Sequence, residues 1–226
     1  MRHLMTAFTL IALTLSLAAA GSARHIAIEN NQGLELVRVV AKSVDYKGQK
    51  ALQLIGVSDE SDGDQVALVK DLDFKDGTIE VDLAGLPAPG ASNTARGFVG
   101  VAFRAAPHAT AIDCFYLRPT NGRADDQLRR NHATQYISHP QWPWFRLRQE
   151  TPSKYESYVD LMPGVWTKIR IEVRGGQARL YVHDDPQPVL IVNDVKSGAS
   201  ARGGVALWTG PGTIGHFRNV VITPDR

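Results

Sequence analysis

The sequence predicts an all-β protein, a sandwich of two antiparallel sheets with a long loop insertion near its middle. Three observations carry that expectation. Apolar and polar residues alternate through many short runs; no long amphipathic helical run occurs; and Gly, Pro, Asn and Asp fall between the runs as turn punctuation.

The first 23 residues stand apart from this pattern. MRHLMT carries the charge of Arg2, AFTLIALTLSLAAA is apolar, and GSA supplies small residues at Gly21 and Ala23. This is the three-part pattern of a secretory signal peptide, with an apolar run too short to span a bilayer well. Cleavage is expected after Ala23, with Ala20 the second choice. The remaining chain, 24–226, reads as one domain without a membrane-spanning segment, exported to the periplasm or secreted.

The whole chain has a formal net charge of +2. Arg2 is the leader's only charged residue besides the terminus, so its loss lowers the side-chain balance by one. A near-neutral chain lacks the basic excess a nucleic-acid binder needs. Cys114 is the single cysteine. It cannot form an internal disulfide, and in IDCFYLR it reads as a small buried hydrophobe.

The strands follow in order. LELVRVVAKSV leads through DYKGQ into ALQLIGV, and VALVKDLDF through KDG into TIEVDLAG. Ile79, Val81 and Leu83 alternate there with Glu80 and Asp82, the period-two signature of a half-buried strand. RGFVGVAFRA and DCFYLRP come next. After the central insertion stand YESYVDL, WTKIRIEVRG, GQARLYVHD, PVLIVND, GGVALWTG and HFRNVVIT. RGGQ at 174–177 reads as a hairpin turn. LPAPGASNTA, at 86–95, reads as a loop inside the domain, because strand pattern continues on both sides.

GVWTKIRIEVRGGQARLYVHD, at 164–184, resembles a segment of laminin-G-like domains in the concanavalin A-like lectin/glucanase superfamily. RGGVALWTGPGTIGHFRNVVITP, at 202–224, resembles that superfamily's final strand pair, an ending shared with bacterial 3-keto-disaccharide hydrolase-like domains. The likeness is best from about Phe98 onward. It implies a concanavalin A-like jelly roll, a fold that carries glycosidases, lectins and adhesive modules alike. Laminarinase-like glucanases of the superfamily place E-x-D-x-x-E on one strand, so that the carboxylates share a face. No such run occurs here. The densest acidic stretch, DESDGD at 59–64, reads as a solvated loop. It fails the EF-hand pattern because Ser58 and Val69 would take the first and last ligand positions.

The candidate site is the run RADDQLRRNHATQYISHPQWPWFRLR, at 123–148, within the insertion that separates FYLRP from YESYVDL. Insertions of this length inside a compact domain usually carry function or small elements of their own. ADDQLRRN is expected to make a helical turn or two, and ATQYIS and FRLRQ short strands forming an extra hairpin. The residue types suit a sugar: rings stack on its apolar faces, while Arg, Asp and Asn bond its hydroxyl edges. Trp142, Trp144 and Tyr136 are the candidate stacking residues, with Tyr116 adjoining. Arg118, Asn121, Arg123, Asp125, Asp126, Arg129, Asn131 and His132 are the candidate edge-binding residues. Trp166 and Trp208, on strand-like runs, read as structural. His132 and His139 match no zinc spacing, so neither a metal site nor a cofactor is expected.

Three functional classes remain open on this reading. The first is a lectin-like module binding a glycan. The second is a glycoside hydrolase or lyase with Asp125, Asp126 or His132 as acid/base. The third is a structural or adhesive protein without a small ligand.

Overall fold

A computed structural model describes residues 21–57 and 63–225. The apolar stretch of the leader and most of the acidic stretch lie outside the described residues. In chain order the early strands are β1 (Arg24–Ile26), β2 (Leu34–Val37), β3 (Val39–Tyr46), β4 (Gln49–Gly56) and β5 (Gln65–Val69). Then come β6 (Gly77–Pro87), β7 (Val99–Ala105), β8 (Ile112–Leu117), helix α1 (Gln127–Asn131), β9 (Thr134–His139) and helix α2 (Trp144–Glu150). The chain ends with β10 (Glu156–Ser157), β11 (Thr167–Arg174), β12 (Gln177–Val182), β13 (Leu190–Val192), β14 (Gly204–Thr209) and β15 (Thr213–Pro224).

These strands form two antiparallel sheets. One has eight strands in the order β13-β12-β11-β6-β15-β4-β3, with β1 also paired to β15. The other has seven, in the order β10-β9-β8-β7-β14-β5-β2. Neighbours in the sheets are mostly distant in sequence, so local hairpins account for only part of the pairing.

Alternation sets the core. Ile79, Val81 and Leu83 of β6 are buried and lie opposite Ile171, Ile169 and Thr167 of β11. On the solvent side of the same pair Glu80 faces Arg170 and Asp82 faces Lys168, a favourable cross-strand charge pattern. A Cβ at Gly85 of β6 would stand 2.6 Å from Val99 Cγ1 of β7, so Val99 points at the opposite sheet. By period two, Val101 and Phe103 point the same way, and Gly100 points outward.

The seven-stranded sheet departs from the usual one-face-wet arrangement. Every residue of β7 and β8 is buried, and almost all of β9. Its outer face must therefore be covered, and the central insertion supplies much of the cover. Trp142 makes an isolated bridge to Ser138, and Leu147 of α2 is buried.

FRLRQ is a helix and not the strand that its alternation suggested. The i,i+4 geometry explains the difference. Arg146 reaches Glu150 at 2.7 Å, Trp144 and Arg148 share one face, and Leu147 turns inward. ATQYIS is a strand, β9, but it pairs with β8 inside the main sheet and does not form a separate hairpin. ADDQLRRN makes the single turn α1, capped by Asp126 Oδ1, which accepts the Arg129 N–H at 2.6 Å.

Among the described residues, no helix is long and apolar enough to cross a membrane.

Candidate functional site

The outer face of the seven-stranded sheet holds a cavity of about 760 Å³. Its floor is built on a missing side chain. Gly100 of β7 lies between Trp208 of β14 and Tyr116 of β8 in register. With no Cβ between them, the Tyr116 and Trp208 rings stack across the strand, centroids 4.8 Å apart and planes 29° apart. Phe98 meets Tyr116 edge-on at 6.0 Å. The Trp208 indole N–H donates to Asp64 Oδ1 at 2.8 Å, and His139 Nδ1 lies 2.9 Å from the same oxygen. Trp208 thus combines a structural anchor with a place in the cavity lining, a role its regular strand did not advertise.

α2 forms one wall. Trp144 is 43% exposed and Phe145 58%, and both line the cavity. Exposure of two large rings at the mouth of a cavity is costly unless something covers them. Arg148, one turn after Trp144, places its guanidinium carbon 4.8 Å from that ring's centroid.

The adjoining wall follows β8, with the Arg118 guanidinium carbon 5.9 Å from the Trp144 ring centroid. Arg118 is nearly buried; Nη1 donates to the His132 carbonyl at 3.1 Å and Nη2 to the Tyr116 hydroxyl at 2.8 Å. Nη2 also reaches Gln135 Oε1 at 3.0 Å. Asn121 donates to the same His132 carbonyl at 3.1 Å, leaving its own Oδ1 without a donor among the described residues. Arg129 and His132 complete this wall. The third side comes from the loop after β6, with Ser92, Thr94 and Arg96, and from Pro211 and Gly212.

Behind the arginines stands Glu156 of β10, its side chain 2% exposed. It lies 3.6 Å from Arg118 Nη1 and 3.6 Å from His132 Nε2, and is bonded directly to Arg148. Burial pushes the His132 imidazole below its ordinary pKa and outweighs the opposing pull of Glu156, so the ring is neutral near pH 7. Burial also pushes the Tyr116 phenol up to about 12, despite Arg118, so it remains a neutral hydroxyl able to donate. The Cys114 thiol is raised well above its ordinary value by burial and is no nucleophile.

The sequence candidates divide in two. Arg118, Asn121, Arg129, His132 and Trp144 line the cavity. Arg123 is turned away, in a two-pronged pair with Asp160 at 2.7 Å. Asp125 and Asp126 do not line it, and Asp126 is occupied as the α1 cap. Asn131 accepts from Gln127 at 2.8 Å on the helix surface. Tyr136 is fully buried; it lies opposite Phe115, whose register puts it on the inner face, so no ligand can stack on it. Trp142 packs against the core and stands between Arg146, at 4.0 Å, and Lys196, at 4.7 Å, instead of in the cavity. Arg96, Phe98 and Trp208 join the site from segments outside the candidate run, and Phe145 and Arg148 from inside it without having been singled out. The i,i+4 spacing of Trp144 and Arg148 was the one available signal for part of them.

No carboxylate lines the cavity among the described residues, and no group of three His, Cys, Asp or Glu there could hold a metal ion.

No family model and no curated protein matches the chain. Solved structures do. A carbohydrate-binding module, CBM66 of Bacillus subtilis, aligns with a TM-score of 0.56 at 16% identity, covering 84% of this chain and 95% of that one. A Bacillus subtilis protein of unknown function with a galectin-like fold gives a TM-score of 0.52 at 11% identity, covering 92% and 98%. Domain 4 of AbnA, an extracellular arabinanase of Geobacillus stearothermophilus solved with arabinotriose, gives 0.51 at 14% identity, covering 92% and 93%. The chain has the concanavalin A-like jelly-roll fold. On a jelly roll of this kind, function is decided by the site and not by the sandwich.

Proposed function

We propose that this is an exported carbohydrate-binding protein whose sugar sits in the cavity on the outer face of the seven-stranded sheet. The observation that carries the reading is the pairing of an aromatic lining with fixed polar donors. Tyr116, Trp208 and Phe98 form a rigid floor, and Trp144 and Phe145 form a half-exposed rim. Arg118 and Asn121 are held beside them by backbone and side-chain bonds. Apolar faces and hydroxyl edges of a pyranose or furanose require this combination. The fold's likeness to a carbohydrate-binding module and to an arabinanase domain solved with arabinotriose supports the same reading.

Binding is favoured over hydrolysis because two-carboxylate glycoside cleavage needs a carboxylate pair across the sugar. The cavity lining offers none among the described residues. Export rests on the leader pattern at 1–23, and β1 begins at Arg24, directly after the expected cleavage point. Amino-terminal sequencing of the protein recovered outside the cytoplasm should begin at Arg24.

A glycan array followed by calorimetry tests the binding. Saturable binding of an oligosaccharide is expected, and Trp144→Ala and Phe145→Ala each weaken it about tenfold without lowering the melting temperature. Trp142→Ala leaves the affinity unchanged. Affinity that survives loss of both rim rings would refute the placement of the sugar.

A further inference from the structure

The charge on the cavity wall is unbalanced. Arg96, Arg118, Arg129 and Arg148 all line it. Glu156 lies against two of them, Arg118 and Arg148. Among the described residues the Arg96 side chain bonds only to the carbonyls of Asn93 and Ala95, at 2.5 and 3.2 Å. The Arg129 side chain makes no ion pair among the described residues; its bonded atoms are backbone, the N–H donating to Asp126 and the carbonyl accepting from His132. Two guanidinium groups therefore face one cavity without a carboxylate of their own.

They also feel one another. The Arg96 guanidinium is pushed below its ordinary pKa by partial burial, then by the positive charges of Arg129 and Arg118. Like charges gathered around a recess cost free energy, and a bound anion removes that cost. A guanidinium also offers a flat fork of donors matched to carboxylate and sulfate oxygens.

We propose that the sugar bound here is acidic, carrying a carboxylate or sulfate ester that is held between Arg96 and Arg129 while its ring lies against Trp144 and the Tyr116–Trp208 floor. The proposal rests on the carbohydrate-binding reading above and narrows its ligand class. Arg118 and Arg148 play a different part: they share the Glu156 carboxylate, which offsets one of their two charges and holds both in place, so they orient hydroxyl groups and stiffen the wall. Arg96 and Arg129 supply the charge selectivity.

The test uses matched pairs of oligosaccharides. One arm is a panel of hexuronate oligomers and the same oligomers after carboxyl reduction, which keeps ring stereochemistry and removes the charge. The other is a panel of sulfated oligosaccharides and their desulfated counterparts. Calorimetry on the mature protein should show binding by acidic members of one arm, which names the anion, and at least tenfold weaker binding by their neutral partners. Arg129→Gln and Arg96→Gln should each lower the acidic ligand's affinity about tenfold with no drop in melting temperature, and should flatten its salt dependence. Equal binding of charged and neutral partners, indifferent to Arg129→Gln, overturns the acidic ligand and leaves carbohydrate binding standing. Silence across both panels and across neutral glycans overturns both readings.

Discussion

Arg148 grips Glu156 with both prongs of its guanidinium, Nε to Oε1 at 2.8 Å and Nη2 to Oε2 at 2.5 Å, and so ties α2 to the edge strand β10. The carboxylate is the better buried partner, its side chain 2% exposed against 33% for Arg148. Losing the carboxylate would leave Arg118 and Arg148 facing each other without a counter-ion. Glu156→Gln should therefore cost about 3 kcal/mol in urea denaturation. Arg148→Gln should cost less, because Arg118 and His132 remain near the carboxylate. Equal costs would mean that Glu156 is not the hub of this wall.

Gly100 makes the cavity floor possible. A Cβ there would stand 2.2 Å from the Phe115 carbonyl oxygen and 2.6 Å from Tyr116 Cβ, and backbone cannot yield cheaply. Gly100→Ala should lower stability by about 1–3 kcal/mol. It should also shift the tryptophan near-ultraviolet dichroism as the Tyr116–Trp208 stack opens. A folded variant with an unchanged aromatic spectrum would contradict the stacked floor.

The strands were legible where a period of two showed one wet face and one dry face, as in Ile79, Val81 and Leu83 against Glu80 and Asp82. The same rule misled at FRLRQ, where a short helix with its own i,i+4 pairs shows an apparent alternation. The site was harder to read because it is assembled by register between distant strands. The insertion carries Asn121, Arg129, His132 and Trp144 to the cavity, with Arg118 just before it at the end of β8. Trp208 arrives from β14, and Arg96 from the loop after β6. Nothing local to either residue reports that neighbourhood. Whether a tyrosine on β9 faces the core or the cavity depends on strand parity, and Phe115 opposite Tyr136 decides it.

Tyr136 closes a buried polar link between the sheet and a loop. Its hydroxyl donates to Asp113 Oδ1 at 2.5 Å and accepts from the Lys196 N–H at 2.8 Å. Asp113 is fully buried, and its other oxygen has no partner among the described residues. Tyr136→Phe would strip the carboxylate of that donor and the Lys196 N–H of that acceptor. A loss of about 2 kcal/mol is expected by chemical denaturation, with sugar affinity unchanged in calorimetry. Lost affinity at unchanged stability would place Tyr136 in the cavity after all.

The last prediction concerns acid. His216 of β15 is 2% exposed, stacked on Tyr46 with centroids 3.7 Å apart, and its Nε2 lies 3.1 Å from Gln53 Nε2. Burial drives its pKa from 6.5 down to about 4, against a smaller opposing pull from the Ala84 backbone. In the unfolded chain the ring takes its proton as pH falls through 6.5, while the folded protein refuses it until about 4. Between those values the unfolded state binds more protons, so acidification favours unfolding. The stability lost across that window is roughly 3 kcal/mol, and below it the contribution levels off. His132, also depressed by burial, adds to the loss with the same sign. Urea midpoints at a series of pH values across the window should fall steeply for the parent protein and more shallowly for His216→Gln. The comparison is one of slopes, since His216→Gln also loses the Tyr46 stack and starts from a lower stability at neutral pH. Parallel slopes would show that His216 is solvated or already charged in the folded state, and that the polar cluster on the eight-stranded sheet is looser than the stacked geometry implies.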